Sequence, residues 1–152
     1  MARAKCRELI HLLELYVEWP AHRLYPAAHF GGTASDDTRK EVAATLARGV
    51  KAFARVARFE PFVFGAAFTY ADCAALWHLP LVSSTTRAIY GEDLLASVPG
   101  VAEYLRDVGA RPHARSVNEA RKTGMEAFIA YRAKLAAQAH AGAGAQSRAP
   151  AR

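Results

Sequence analysis

The sequence predicts an all-α fold, and three observations carry that prediction. Apolar residues recur at helical spacing over several long segments. No segment alternates apolar and polar residues as a half-buried strand should. Pro, Gly, Ser, Thr and Asp fall where helices begin and end. The chain has 152 residues, 52% hydrophobic and 22% charged, which suits one packed domain and argues against global disorder.

The first element is read from AKCRELIHLLELYVEW, residues 4–19. Leu9, Leu12, Leu13 and Tyr16 follow the i, i+3, i+4, i+7 spacing of one helix face, Ile10 and Val17 widen the stripe, and Glu14 and Glu18 form a polar edge. Pro20 cannot donate a backbone hydrogen bond, so the helix is expected to bend there and to end around Tyr25.

After the loop GGTASDDT, Ser35 or Asp36 is placed to cap a second helix, with Asp36 and Asp37 at the positive end of its dipole. This helix is expected to reach about Arg58, with Val42, Leu46, Val50, Phe53 and Val56 as its buried stripe. Gly49 inside it costs up to ~1 kcal/mol relative to Ala. Close approach of a neighbouring helix would account for it.

An apolar loop, FEPFVFGAAF, leads to a third helix expected from Thr69 to about Val82, with Pro80 late inside it and SSTTR marking its end. Thr69 at the N-cap and Asp72 three residues on have the spacing of a capping box, with Phe68 and Cys73 placed for a hydrophobic staple. The helix body, ADCAALWHLPLV, is apolar on nearly every side and is expected to be buried all round. A buried helix start has no water for its free amides, which is the physical need for polar residues there. Asp72 is therefore read as a structural cap in preference to a catalytic acid, since no second acid or His shares its face. Trp77 and His78 read as core or pocket-wall residues.

A helical turn is expected at residues 91–95. A helix with Pro99 in its first turn and Gly109 at its C-terminus follows, then a short helix and a longer one with Met125, Phe128, Ile129 and Leu135 on its apolar side. The helical domain is assigned to residues 1–138. Residues 139–152, AHAGAGAQSRAPAR, are expected to form a disordered Ala/Gly/Arg/Pro tail.

Several function classes are disfavoured. No apolar run reaches the roughly 18–20 residues that cross a bilayer, and MARAKCRELI lacks the features of a signal peptide, so no membrane partner is expected. The formal net charge is +6, yet residues 11–110 carry nine basic and eleven acidic side chains, so the basic character is terminal. Without interleaved aromatic residues those termini do not predict a nucleic-acid partner. Cys6 and Cys73 belong to no motif, which suits a reducing cytoplasm. His11, His22 and His29 have no recognised ligand spacing, so no metal is expected.

The segment PFVFGAAFTYADCAALWHL resembles the entry to the central helix of the C-terminal domain of bacterial-type cytosolic glutathione S-transferases, where an apolar residue and Gly precede Ser/Thr-x-x-Asp. Here these are Phe64, Gly65, Thr69 and Asp72. VPGVAEYLRDVGARPHARSV is similar to the family's next segment, and RAKCRELIHLLELYVEWPAHRLYP to its long bent first helix, so the resemblance covers roughly residues 3–136. It implies a helical bundle without a sheet, a homodimer, and glutathione as co-substrate for conjugation to apolar electrophiles, with no covalently bound cofactor. It also implies a preceding thioredoxin-like domain that supplies the thiol-activating group; that domain is absent from this sequence, so the catalytic residue is unknown. Tyr16, Trp19, His22, Arg23 and Tyr25 become candidate substrate-pocket residues. Arg23 is also open to a pair with Glu18 or to a dimer contact. The faces of the first and third helices that would meet the thioredoxin-like domain should be exposed and apolar. The alternative implied function is a non-catalytic interaction module.

Overall fold

The computed structural model describes residues 2–146. Its helices are α1 (Ala2–Leu13), α2 (Trp19–His22), α3 (Tyr25–His29), α4 (Asp36–Val56), α5 (Tyr70–Tyr90), α6 (Val101–Gly109) and α7 (Pro112–Gln146). A π-helical turn, Glu14–Glu18, joins α1 to α2, and a 3-10 turn, Leu94–Ser97, precedes α6. Among the described residues there is no strand, only one bridge between Phe62 and Gly65. The fold is all-α.

The residues up to Ala114 form one unit and those from Arg115 onward another. In the first unit the core is drawn from α1 to α6 and the loops between them. Leu9, Leu13, Val17, Ala21 and Leu24 share it with Val42, Leu46, Val50 and Phe53 of α4 and Ala71, Ala75, Leu79 and Val82 of α5. The second unit is the remainder of α7. A single helix replaces the expected short and long pair, because Gly124 costs helix propensity without breaking the hydrogen-bond ladder. Part of the expected tail, residues 147–152, lies outside the described residues, and residues 139–146 fall within α7.

The first helix departs from expectation at the π turn. Pro20 has no N–H to give the Tyr16 carbonyl, and the chain widens just ahead of it. Of the expected stripe, Leu9, Leu13 and Val17 are buried, while beside the wider turn Tyr16 is exposed and Leu12 half-buried. The chain also stays helical beyond Tyr25, because Pro26 suits the first turn of α3. On α4, Ser35 is the cap, accepting from the Thr38 amide at 3.2 Å. Val56, in the last turn, lies outside the core.

Helix α5 passes through SSTTR and ends at Gly91, whose φ of 76° is the left-handed stop that glycine adopts freely. The hydroxyls that suggested an end bond back to the helix itself: Ser84 and Thr85 donate to the Leu81 carbonyl, and Thr86 to that of Ser83. The helical turn expected at 91–95 forms three residues later, capped by Asp93. Pro99 lies before α6, whose N-cap is Gly100.

Candidate functional site

The start of α5 is closed by side chains. The Thr69 hydroxyl accepts from the Ala71 amide at 3.2 Å, and the Asp72 carboxylate reaches back to the Thr69 amide at 2.7 Å, completing a capping box. Asp72 is fully buried. It also accepts from the Thr69 hydroxyl, the Val63 amide and the Tyr104 hydroxyl, at 3.1, 2.9 and 3.1 Å. One carboxylate thus fastens the loop before α5, the helix start and α6. Burial and the neighbouring Asp72 push the Tyr104 phenol well above its ordinary range, so it stays a donor. In this arrangement all four hydrogen bonds to Asp72 come from donors, and the carboxylate serves as their acceptor. Phe68 packs edge-on against Phe62, with the Arg111 guanidinium 4.8 Å over its ring.

Helix α5 is not buried all round. Tyr70, Cys73 and Trp77, at i, i+3 and i+7, form an exposed face. The face follows from packing: α1, α3, α6 and the turns between them press on the other sides of the helix. Beside it, Cys6 and Ile10 of α1, Phe64 and Phe68 of the loop, and Tyr70 and Cys73 of α5 line a cavity of about 560 Å3. Arg3 and Arg7 stand in its wall on the α1 side. The walls are mainly apolar and carry both thiols of the chain. Farther along, between the π turn and α5, His78 Nε2 lies 4.0 Å from Glu14, while His78 Nδ1 is buried with no partner among the described residues.

A second arrangement runs along α2 and α3. The rings of Trp19, His22, Tyr25 and His29 succeed one another with centroid separations of 5.5, 4.6 and 5.8 Å. Glu18 organises them. Its Oε1 accepts from the Tyr25 hydroxyl at 3.1 Å and lies 3.3 Å from His22 Nδ1. Burial first, then Glu18, drives the Tyr25 phenol far above its ordinary value, which makes it a donor and not a base. At the far end His29 Nε2 meets Thr85 Oγ1 at 2.8 Å. The Thr85 hydrogen is committed to the Leu81 carbonyl, so the imidazole donates.

The five candidate pocket residues therefore divide. Trp19, His22 and Tyr25 come together in the ring series, with Trp19 and His22 exposed and Tyr25 buried. Arg23 pairs with Glu41 of α4 at 2.9 Å, not with Glu18; the contact raises the guanidinium and lowers the Glu41 carboxyl from their ordinary values. Tyr16 is exposed, and its backbone lies against Gly49. None of the five is among the residues lining the cavity between α1 and α5. Sequence reasoning missed Glu18 as the hub of the rings and missed Cys6 and Ile10 as walls of the cavity. The i, i+4 spacing of Cys6 and Ile10 opposite the i, i+3 spacing of Tyr70 and Cys73 was the available signal. Among the described residues no group of three or more His, Cys, Asp or Glu could hold a metal, and no helix is long and apolar enough to cross a membrane. The arrangement can enclose an apolar molecule. Among the described residues that line the cavity there is no carboxylate and no imidazole.

Comparison with known proteins fits this architecture. The family model described as "Glutathione S-transferase, C-terminal domain" matches residues 36–107, from the start of α4 into α6. A protein of Pseudomonas putida named "Glutathione S-transferase" is 30% identical over 127 residues, covering 84% of this chain. That match spans 58% of the relative's own length. With the helices, the capping box and the sequence match in agreement, the chain belongs to the glutathione S-transferase family and carries that family's C-terminal helical domain.

Proposed function

We propose that this chain is the electrophile-pocket half of a glutathione S-transferase, a cytoplasmic and dimeric detoxification enzyme that joins glutathione to apolar electrophiles. The observation that carries the reading is the cavity between α1 and α5, of about 560 Å3 and walled by Ile10, Phe64, Phe68 and Tyr70. Its volume lies within the usual range for small-molecule sites, roughly 300–1,000 Å3. The exposed rings of Trp19 and His22 offer a second apolar surface, and Tyr16 and Arg23 belong to that neighbourhood. The cavity is the better electrophile site, because it encloses its occupant on several sides.

Conjugation requires the thiolate of glutathione. No described residue of the cavity is a base placed to generate it, and the two strongly perturbed phenols are shifted the wrong way for that task. The purified chain is therefore expected to give no conjugation of glutathione with 1-chloro-2,4-dinitrobenzene above the uncatalysed rate, while still binding the electrophile. Ile10→Glu, which puts a charge in the wall, should abolish that binding. Turnover above background would overturn the inactive-half reading; binding unaffected by Ile10→Glu would overturn the placement of the pocket.

A second reading, a non-catalytic interaction module, draws on the exposed aromatic side chains Trp19, Tyr70 and Trp77. It expects Trp77→Ser, outside the walls of the cavity, to weaken self-association or partner capture with the electrophile affinity unchanged. A chain that stays monomeric at high concentration and captures no partner would remove it.

A further inference from the structure

Residues 115–135 of α7 belong to the second unit, and none of their side chains is buried. Val117, Phe128, Ile129, Tyr131 and Leu135 are exposed, and Met125 is half-buried. These residues are not scattered round the helix. At about 100° per residue, Val117, Met125, Tyr131 and Leu135 fall within about 60° of Phe128, with Ile129 at the edge of that sector. Arg121 and Arg132 fall inside the same sector. Glu119 and Glu126 fall about 160–180° away, on the reverse face. The apolar face therefore carries positive charge and no negative charge.

That pattern discriminates between occupants. A second copy of α7 is a poor one. Parallel pairing sets each arginine against its own copy, and antiparallel pairing that brings Val117 to Leu135 brings Arg121 to Arg132. A groove in another protein fits little better. Helices that dock in grooves offer anchors at i, i+3, i+4 and i+7. Here Arg121 and Arg132 interrupt the series, and a dry groove would have to bury two guanidinium groups at a desolvation cost. A flat anionic surface has neither fault. The arginine stems can lie along its apolar layer while their heads reach phosphate groups. Tyr131, at the rim of the sector, has an apolar body and a polar tip suited to the same boundary.

We propose that α7 is a docking face for the surface of an anionic lipid bilayer. The helix lies in the plane of the surface, with Val117, Phe128 and Leu135 inserted below the headgroups and Arg121 and Arg132 bound to lipid phosphates. The apolar stripe is about 30 Å long, at ~1.5 Å per residue. An interfacial helix needs no membrane-spanning run, so the expectation of no membrane partner, which rested on the want of one, does not bear on it. The inference is independent of the electrophile pocket.

Co-sedimentation of the full chain with vesicles tests the proposal. The chain should pellet with vesicles of phosphatidylcholine and phosphatidylglycerol in equal parts and remain in solution with phosphatidylcholine alone, and binding should fall as salt rises. Arg121→Gln/Arg132→Gln should weaken the partitioning roughly tenfold or more, since each cation at an anionic surface contributes about fivefold. Phe128→Gln/Leu135→Gln should weaken it as well, although it leaves the charge unchanged. Lys40→Gln/Lys51→Gln removes the same charge from exposed positions of α4 and should leave the partitioning nearly unchanged. Equal binding to both kinds of vesicle, binding to neither, or equal losses in the Arg121/Arg132 and Lys40/Lys51 variants would overturn the proposal. Self-association without lipid that Phe128→Gln/Leu135→Gln abolishes would overturn it too, and would assign the face to a second copy.

Discussion

The carbonyl group of Tyr16 lies so close to Gly49 that a Cβ on the glycine would fall 2.7 Å from the carbonyl carbon and nearer still to its oxygen. The π turn before Pro20 is pressed against the middle of α4, and only a residue without a side chain admits it. Pro20 contributes to this contact, because the Tyr16 carbonyl is the one whose i+4 donor proline removes. Gly49→Ala gains up to ~1 kcal/mol of helix propensity. It also forces backbone away from backbone, and overpacking of this kind costs ~1–3 kcal/mol or more. A net loss in urea-unfolding stability is expected. A variant as stable as the parent would mean that the π turn and α4 do not meet in this way.

Asp72 predicts a second outcome. Its carboxylate is buried and accepts from two amides and two hydroxyls. Asparagine keeps the shape but presents an NH2 to donors whichever way it is turned. Asp72→Asn is expected to cost ~2–3 kcal/mol through unsatisfied buried donors. Thr69→Ala should cost less, ~0.5–2 kcal/mol, as the loss of a cap. Urea midpoints of the two variants check the ranking, and the reverse order would contradict the role of Asp72 as the hub.

The capping pair could be read from sequence because it is local: Thr69 and Asp72 are three residues apart and their chemistry is fixed by the helix between them. Gly49 carried a correct hint of close approach for a similar reason. A glycine in mid-helix gives up helix propensity, and a backbone packed against it is what offsets that loss. What the sequence hid was long-range or depended on an irregular turn. The partners Val63 and Tyr104 of Asp72 are set by packing between elements. The expected stripe kept Leu9, Leu13 and Val17 and lost Leu12 and Tyr16 beside a π turn, which no spacing rule for a regular helix anticipates. The exposed face of α5 was hidden because its aromatic and thiol side chains look the same in sequence whether a neighbour covers them or not. The same limit concealed the convergence of Cys6 and Cys73 on one cavity.

His29 predicts a pH dependence. Burial pushes its imidazole below the ordinary value of about 6.5. The folded state therefore holds the neutral form that donates to Thr85, while the unfolded chain protonates first as pH falls. Stability should be fullest above pH ~6.5, should decline as pH drops through the unfolded value, and should level off below the folded one. His29→Gln removes this titration. The difference between parent and variant urea midpoints should then narrow toward acid pH. A difference independent of pH between about 5 and 8 would show that the imidazole is not held neutral.

The two thiols give a direct readout of the cavity. Cys73 is exposed and Cys6 half-buried, and both stand in its wall. A water-soluble maleimide should label Cys73 faster than Cys6, since the thiolate must be reached by solvent before it can react. An uncharged aromatic ligand that fills the cavity should slow both reactions together, because one occupant lies against both walls. Ile10→Glu should abolish the protection, read against that variant's own unprotected rates, because the new carboxylate near Cys6 slows the thiolate's reaction by itself. Protection of one cysteine without the other would mean that the occupant sits elsewhere on the surface. Protection that survives Ile10→Glu would carry the same meaning.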